Sequence, residues 1–336
     1  MRVPFNEMKE TFKKVFVKYG VPEDKAEVMA ETHAESSRDG IYSHGANRVV
    51  RFINYVKKGW VDINANPTIE KEFGGVAVVN GNMGIGVTNA YFAADKAMEL
   101  AKKNGIGLVG LKNTTHWMRG GTYGLYIANK GFVDISWTNT ESCMPAWGGK
   151  DVKLGNNPFV MAAPTDTDPV MMDMAMSQYA YGKLQVVEQA GKQLPYPGGF
   201  DKDGNLTSDP APIEESMRIL PMGYWKGSTM AFMLDVLGAV LSDGIDAPEI
   251  DKADKGSCGG ASQVFIVIDP NKITEAKRAN EIIDNMKKHI KSSELDEHSK
   301  AIWYPGEDYV INRKENSEKG VFVDDGVWKD INDLLK

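Results

Sequence analysis

Between residues 75 and 137 the sequence alternates short β-rich runs with helical patterns, and that alternation restricts the chain to the α/β class. The β-rich runs fall at 76–79, 106–111 and 132–137, separated by helical stretches at 88–103 and 123–130. Further apolar runs at 159–163, 170–174 and 263–268 extend the expected sheet. Helices are expected at 178–190, at 228–241, which is strongly apolar, and at 273–291, which is polar. The stretch 191–212 holds Pro195, Pro197, Gly198, Gly199, Gly204 and Pro210 and reads as loop, and 292–336 has weak periodicity.

The first sixty residues read as three helices. Pro22-Glu23-Asp24 opens the second, with proline suited to the first helical position and acids to the positive helix end. Gly20 and Gly59 are stop signals. A chain of 336 residues, 42% hydrophobic and 25% charged, buries a sizeable core as two domains or one elaborated one.

The net charge of -7 argues against nucleic acid or an anionic membrane as the partner. No window approaches the length of a membrane span, and the N-terminus lacks the apolar run of a signal peptide. Cys143 and Cys258 match no zinc or redox spacing, and the five histidines form no i,i+4 pair. A cytoplasmic protein with a small-molecule partner and no bound metal is the expectation.

In Tyr42-Ser43-His44-Gly45-Ala46-Asn47-Arg48 a histidine and an arginine stand four positions apart at an expected helix start, which places them on one face. Histidine exchanges a proton near neutrality, and arginine offers a fork of donors that fits a carboxylate. The pair suits a 2-oxo or 2-hydroxy acid. Ser43 is the expected N-cap.

Thr115-His116-Trp117-Met118-Arg119-Gly120-Gly121 follows a strand and precedes a helix, where α/β proteins place ligand-binding groups, so His116 is expected to converge with His44. Gly81-Asn82-Met83-Gly84-Ile85-Gly86 also lies between a strand and a helix. Its glycines run in the reverse order to the dinucleotide fingerprint and no acid ends the next strand, so they are read as shaping a loop. Lys226, just before the apolar helix, suits a phosphate site. Asp173, a lone acid in the apolar run Met171-Met172-Asp173-Met174-Ala175-Met176-Ser177, needs a partner, and a histidine is the expected one.

Together these stretches resemble one family, the type-2 malate/lactate dehydrogenases, also called sulfolactate-dehydrogenase-like oxidoreductases. The carriers are Tyr42-Ser43-His44-Gly45 with Arg48, His116-Trp117-Met118-Arg119-Gly120-Gly121, Gly155-Asn156-Asn157-Pro158, Met172 to Ser177, and Pro221-Met222-Gly223-Tyr224-Trp225-Lys226-Gly227. They occur in family order across nearly the whole chain. One departure is Asn156, where many relatives have threonine.

The resemblance implies a non-Rossmann, mixed-sheet NAD-binding α/β domain over 73–270 and a helical domain built from both chain ends, 1–72 with 271–336. It implies a homodimer that reduces a keto acid with NADH or NADPH; no motif reads a ribose phosphate, so NADH is expected to be preferred over NADPH. His44 is then the proton donor, with Ser43 and Asp173 beside it, and Arg48 and His116 are substrate ligands. The cofactor cradle comprises Met171, Met172, Asp173, Met174, Ala175, Met176, Ser177, Trp225, Lys226, Gly227, Gly306, Glu307 and Asp308, with Asn157 and Pro158. Within the family, residues 116–121, Gln193-Leu194-Pro195 and 218–227 most resemble members that act on a 2-oxo sugar acid. Malate, lactate, ureidoglycolate and a cyclic imino acid are the alternatives inside the family. A metal-dependent sugar-acid lyase, with His44 and His116 as ligands, is the alternative outside it.

Overall fold

The structure is a computed structural model that describes residues 1–336, apart from the side chain of Gln189. Its centre is a seven-stranded mixed sheet in the spatial order Thr68–Phe73, Val76–Asn80, Ile106–Thr114, Ala261–Ile268, Val133–Thr138, Phe159–Ala163 and Val170–Met174. Only Val76–Asn80 and Ile106–Thr114 run parallel; the other pairs are antiparallel. The helix Gly86–Asn104 makes the crossover between the parallel strands. One such unit in an otherwise antiparallel sheet is a mixed α/β arrangement, not a doubly wound dinucleotide fold.

Both faces of the sheet are covered, and the late strand Ala261–Ile268 shows why it sits near the middle. Phe265 and Val267 point into a core with Ala90, Ala94, Ala97, Tyr123 and Ile127, from the helices Gly86–Asn104 and Gly120–Asn129. Val264 and Ile266 point the other way, against Ala231 and Leu234 of the helix Trp225–Ser242. The unbroken apolar run Val264 to Ile268 fits a strand buried on both faces. The alanine stripe lets the first helix lie close on the sheet: a Cβ on Gly107 would come 2.1 Å from the Ala97 carbonyl oxygen.

Thr68–Phe73 is an exposed edge strand, Thr-Ile-Glu-Lys-Glu-Phe, and it straddles the expected boundary at 72/73. Its charges blunt the edge, with Lys71 paired to Asp243 at 2.9 Å and Glu70 to Lys112 at 2.9 Å. The two chain ends meet: Val3 pairs with Val321, and Met8, Phe12 and Phe16 share a core with Trp328, Ile331, Phe52 and Ile53. The weakly periodic tail is in fact ordered as the helices Glu307–Lys319 and Asp325–Asp333. The core of the chain ends also takes in Met118 and Cys258, so the loop carrying His116 lies at the seam between sheet and helices.

Candidate active site

Tyr42–His44 and Ala46–Arg48 are two separate 3-10 turns, and the α-helix begins only at Val49–Lys57. Gly45 joins the turns with φ −107° and ψ −122°, which breaks the single helix that the four-residue spacing suggested. A Cβ at this glycine would lie 2.1 Å from Ser37 Oγ and 2.9 Å from the His33 carbonyl oxygen. The Ala46 N–H donates to Ser37 Oγ at 2.9 Å, which completes the seat of the turn on the helix Glu23–Arg38. His44 and Arg48 are therefore not stacked on a helix face. They are brought together because Arg48 Nε donates to the Ser43 carbonyl at 2.9 Å. Ser43 makes no helix cap; its hydroxyl lies 3.0 Å from His44 Nδ1.

The His116 loop is pinned from below by the glycine loop. Thr115 Oγ1 donates to the Gly84 carbonyl at 2.9 Å and accepts the Gly86 N–H at 3.0 Å. Gly86 approaches so closely that a Cβ there would sit 2.2 Å from the Thr115 carbonyl oxygen. These glycines shape a loop, as read from the sequence. His116 Nδ1 accepts the Met118 N–H at 2.8 Å, so a neutral His116 carries its proton on Nε2. Its ring stacks on His44 with centroids 5.7 Å apart and planes 25° from parallel.

The site is electropositive. Burial, then the charges of Arg48, Arg119 and Arg51, push His44 down to about 3. Burial and Arg48 also hold His116 well below the ordinary histidine value. Arg48 itself falls to about 10, through burial and then the charge of Arg51. Among the described residues no carboxylate lies within ion-pair distance of Arg48. A half-buried guanidinium left unpaired beside two neutral histidines is an anion site in waiting.

Asp173 does not pair with His44. Its carboxylate accepts the Gly121 N–H at 2.7 Å, at the start of the helix Gly120–Asn129, and it makes no hydrogen bond to either histidine among the described residues. A helix N-terminus supplies free N–H groups and partial positive charge, which suit a buried carboxylate. Burial pushes Asp173 up, and the Gly121 N–H and Arg119 pull against it.

The expected cradle divides in two. Met171 N–H donates to the Pro305 carbonyl at 3.3 Å, and a Cβ on Gly306 would lie 3.1 Å from Met171 N, so the segment before Glu307 and Asp308 runs along the edge strand. Met176 exchanges backbone bonds with Asn156 and Met222 at 2.7 Å each, and Gly227 packs on Met222 and Met176. Ser177 bridges to Pro221. Met172, Met174 and Ala175 are partly exposed on this edge, whereas Met171 and Met176 are core side chains that leave only backbone to a ligand. Asn157 is also engaged internally: its Oδ1 accepts from Thr140 N–H at 2.9 Å and its Nδ2 donates to the Ala231 carbonyl at 2.8 Å. Pro158 accepts the Thr138 N–H through its carbonyl. Trp225 and Lys226 stand at the exposed N-terminus of the helix Trp225–Ser242.

Two acids that act on the arginines around the site carried no sequence signal. Asp39 is gripped by Arg119 at 2.6 Å and by Arg313 through two bonds of 2.8 Å, tying three distant segments together. Glu141, a lone acid in a polar loop, is the other. Only long-range proximity reveals either, and one sequence does not encode it visibly.

The Gly45 contact is testable. Gly45→Ala forces the His44 turn off its helix, and a displacement of about 1 Å costs on the order of a hundredfold in turnover. Turnover and KM of the purified variant check this, and turnover within threefold of the parent would remove the role given to the turn.

The family model described as malate/L-lactate dehydrogenase matches residues 3–332. The chain is 40% identical over 334 residues to the 2,3-diketo-L-gulonate reductase of Escherichia coli K12, covering 99% of this chain and 100% of that protein. Among solved structures, malate dehydrogenase from Pyrococcus horikoshii OT3 superposes with a TM-score of 0.90 at 28% identity, covering 99% of this chain and 94% of that one. Sulfolactate dehydrogenase from Methanocaldococcus jannaschii gives 0.90 at 28% identity, over 99% and 96%. A seven-stranded mixed sheet, a histidine pair beside a free arginine and these likenesses over the whole length agree: the chain belongs to the malate/L-lactate dehydrogenase family, nicotinamide-dependent oxidoreductases of 2-hydroxy and 2-oxo acids.

Proposed function

We propose that the protein reduces a 2-oxo sugar acid, 2,3-diketo-L-gulonate or a close relative, with NADH as the preferred reductant. The observation that carries the reading is the stacked His44–His116 pair beside the unpaired Arg48. The choice of acid rests on the E. coli reductase that matches over its full length.

When bound, the nicotinamide supplies the hydride that reaches C2 of the acid. Arg48 takes the carboxylate and fixes which face of the carbonyl is presented. The Nε2–H of His116 donates to the carbonyl oxygen, because its Nδ1 is occupied by the Met118 N–H. His44 carries the proton for the developing alkoxide, oriented at Nδ1 by the Ser43 hydroxyl. Asp173 contributes by fixing the helix start behind the loop.

The proposed cradle suits a dinucleotide. Trp225, 58% exposed, offers a ring face, and Lys226 beside it has no ion-pair partner among the described residues. Both begin an 18-residue helix, whose N-terminus favours phosphate. Gly306, Glu307 and Asp308 would complete the other arm.

The homodimer belongs to the same proposal. Phe232, Met233, Val236, Leu237 and Val240 form an exposed apolar stripe on the helix Trp225–Ser242, and a second copy of the chain is the partner that would cover it. With it go a division into a helical unit from both chain ends and a cofactor-binding unit, and a place for the enzyme in the cytoplasm. No single helix is long and apolar enough to cross a membrane.

The test follows loss of NADH and, separately, NADPH absorbance with 2,3-diketo-L-gulonate, pyruvate, oxaloacetate and piperideine-2-carboxylate. Oxidation of NADH strongest with diketogulonate is expected. Preference for pyruvate, oxaloacetate or the imine would replace the substrate and leave the proton donor in place.

A further inference from the structure

Glu141 follows the strand Val133–Thr138 on a backbone held from both sides. The Thr140 N–H donates to Asn157 at 2.9 Å and the Ser142 N–H to Asp251 at 2.8 Å. Its side chain turns inward. Oε1 accepts from Ser257 Oγ at 3.3 Å, whereas Oε2 is buried with no hydrogen-bond partner among the described residues. The neighbouring Cys258 is buried in the same core cluster as Met118, so Ser257 and Glu141 sit against the loop that carries the substrate-facing histidine.

Arg48 and Arg51 both act electrostatically on Glu141, yet neither closes to ion-pair distance of it. The site thus holds an unpaired guanidinium and an unpaired carboxylate that leave each other open. A buried carboxylate oxygen without a donor is costly, and it marks a place where a donor is supplied from outside. Arg48 already accounts for the acid end of a ligand. A carboxylate accepts hydrogen bonds and repels other anions, so the group it fits is a hydroxyl.

We propose that Glu141 sets substrate specificity: its free oxygen accepts a hydroxyl from the carbons beyond C3 of a polyhydroxy acid, and its charge turns away acids with a second carboxylate. This rests on the reductase reading above. It separates a sugar acid from pyruvate, which has no hydroxyl to offer, and from oxaloacetate, whose second carboxylate meets a like charge.

The experiment measures kcat/KM with NADH for diketogulonate, pyruvate and oxaloacetate in the parent, Glu141→Gln and Glu141→Ala. A hydrogen bond to a charged group is worth about 10- to 100-fold. Glu141→Ala is expected to lower the diketogulonate-to-pyruvate ratio by about that factor. Glu141→Gln, nearly isosteric, is expected to raise the oxaloacetate-to-diketogulonate ratio roughly tenfold or more, by removing the like charge. Ratios within threefold of the parent in both folded variants would overturn the proposal.

Calorimetric binding of L-gulonate and L-malate keeps the result independent of turnover. Tighter gulonate binding in the parent, with the preference lost in Glu141→Gln, supports the role of Glu141 even if none of the three keto acids is reduced. In that event the reductase reading alone falls. An equal preference in parent and variant overturns the role of Glu141 even if reduction is strong.

Discussion

His44→Gln is expected to lower turnover by about a hundredfold to ten-thousandfold while leaving NADH binding intact, the usual contribution of a positioned general acid. Glutamine keeps the size and hydrogen-bonding capacity of the ring and loses only the transferable proton. The neighbouring ring does not substitute, because His116 Nδ1 is tied to the Met118 N–H. Its Nε2 proton is held for a hydrogen bond, and giving it up would leave an anionic ring.

The pH dependence follows from the same geometry. Burial and three arginines hold His44 at about 3, so it is neutral at pH 7. A substrate carboxylate on Arg48 offsets the largest of those charges and raises His44, and binding then takes up a proton. The acid form is needed for reduction, so kcat should fall as pH rises through the raised value. In the opposite direction, oxidation of the hydroxy acid uses the neutral ring and should hold at high pH. Titration of pyruvate or diketogulonate into enzyme with NAD in buffers of different ionisation enthalpy reads the proton uptake. Turnover of His44→Gln within tenfold of the parent, or identical pH profiles for both, would move the proton donor elsewhere.

The sequence is most legible where a segment's own pattern decides its structure. Phe159–Ala163 and Val170–Met174 coincide with their apolar runs because each is a short strand with flanking turn residues. Thr68–Phe73 escapes the same reading because every residue is exposed and the charges, not apolar alternation, define it. The helix Glu307–Lys319 escapes for another reason: Asn316 is its only fully buried residue, and ion pairs hold it rather than an apolar stripe. Hydrophobic periodicity does not register that kind of attachment.

In the site, residue type is legible and pairing is not. His44, Arg48 and His116 stand out by chemistry; the two rings stack, and Arg48 is tied to the Ser43 carbonyl next to His44. Their local geometry hinges on Gly45, whose contact with Ser37 and His33 lies eight and twelve residues back. Asp173 needed a partner, and the partner is a backbone N–H at a helix start rather than a histidine. Such choices are made by tertiary packing.

Asp39→Asn should cost about 3–5 kcal/mol of stability, the scale for removing one member of a buried ion pair. Asp39 is 2% exposed and follows the helix Glu23–Arg38, where an acid opposes the helix dipole. Its presence there is explained by Arg119 and Arg313, which grip it from the His116 loop and from the helix Glu307–Lys319. Without it Arg119, 3% exposed, is left as a buried unpaired cation whose Nε and Nη2 already lack hydrogen-bond partners, with only the Tyr309 ring 4.5 Å from its guanidinium. Adding Arg119→Met to Asp39→Asn should recover part of the loss, since removing both charges is less costly than stranding one. Burial alone would raise Asp39, but the hydrogen bonds and charges of the two arginines hold it below the ordinary carboxylate value. Its contribution is therefore complete above about pH 4 and fades as pH falls through the lower, folded value. Urea titrations from pH 7 to pH 3 should show a shifted midpoint in Asp39→Asn and a gap to the parent that narrows toward the acid end. A loss below about 1 kcal/mol at pH 7, the scale of an exposed ion pair, would show that the seam between the chain ends and the His116 loop is held by its apolar contacts instead.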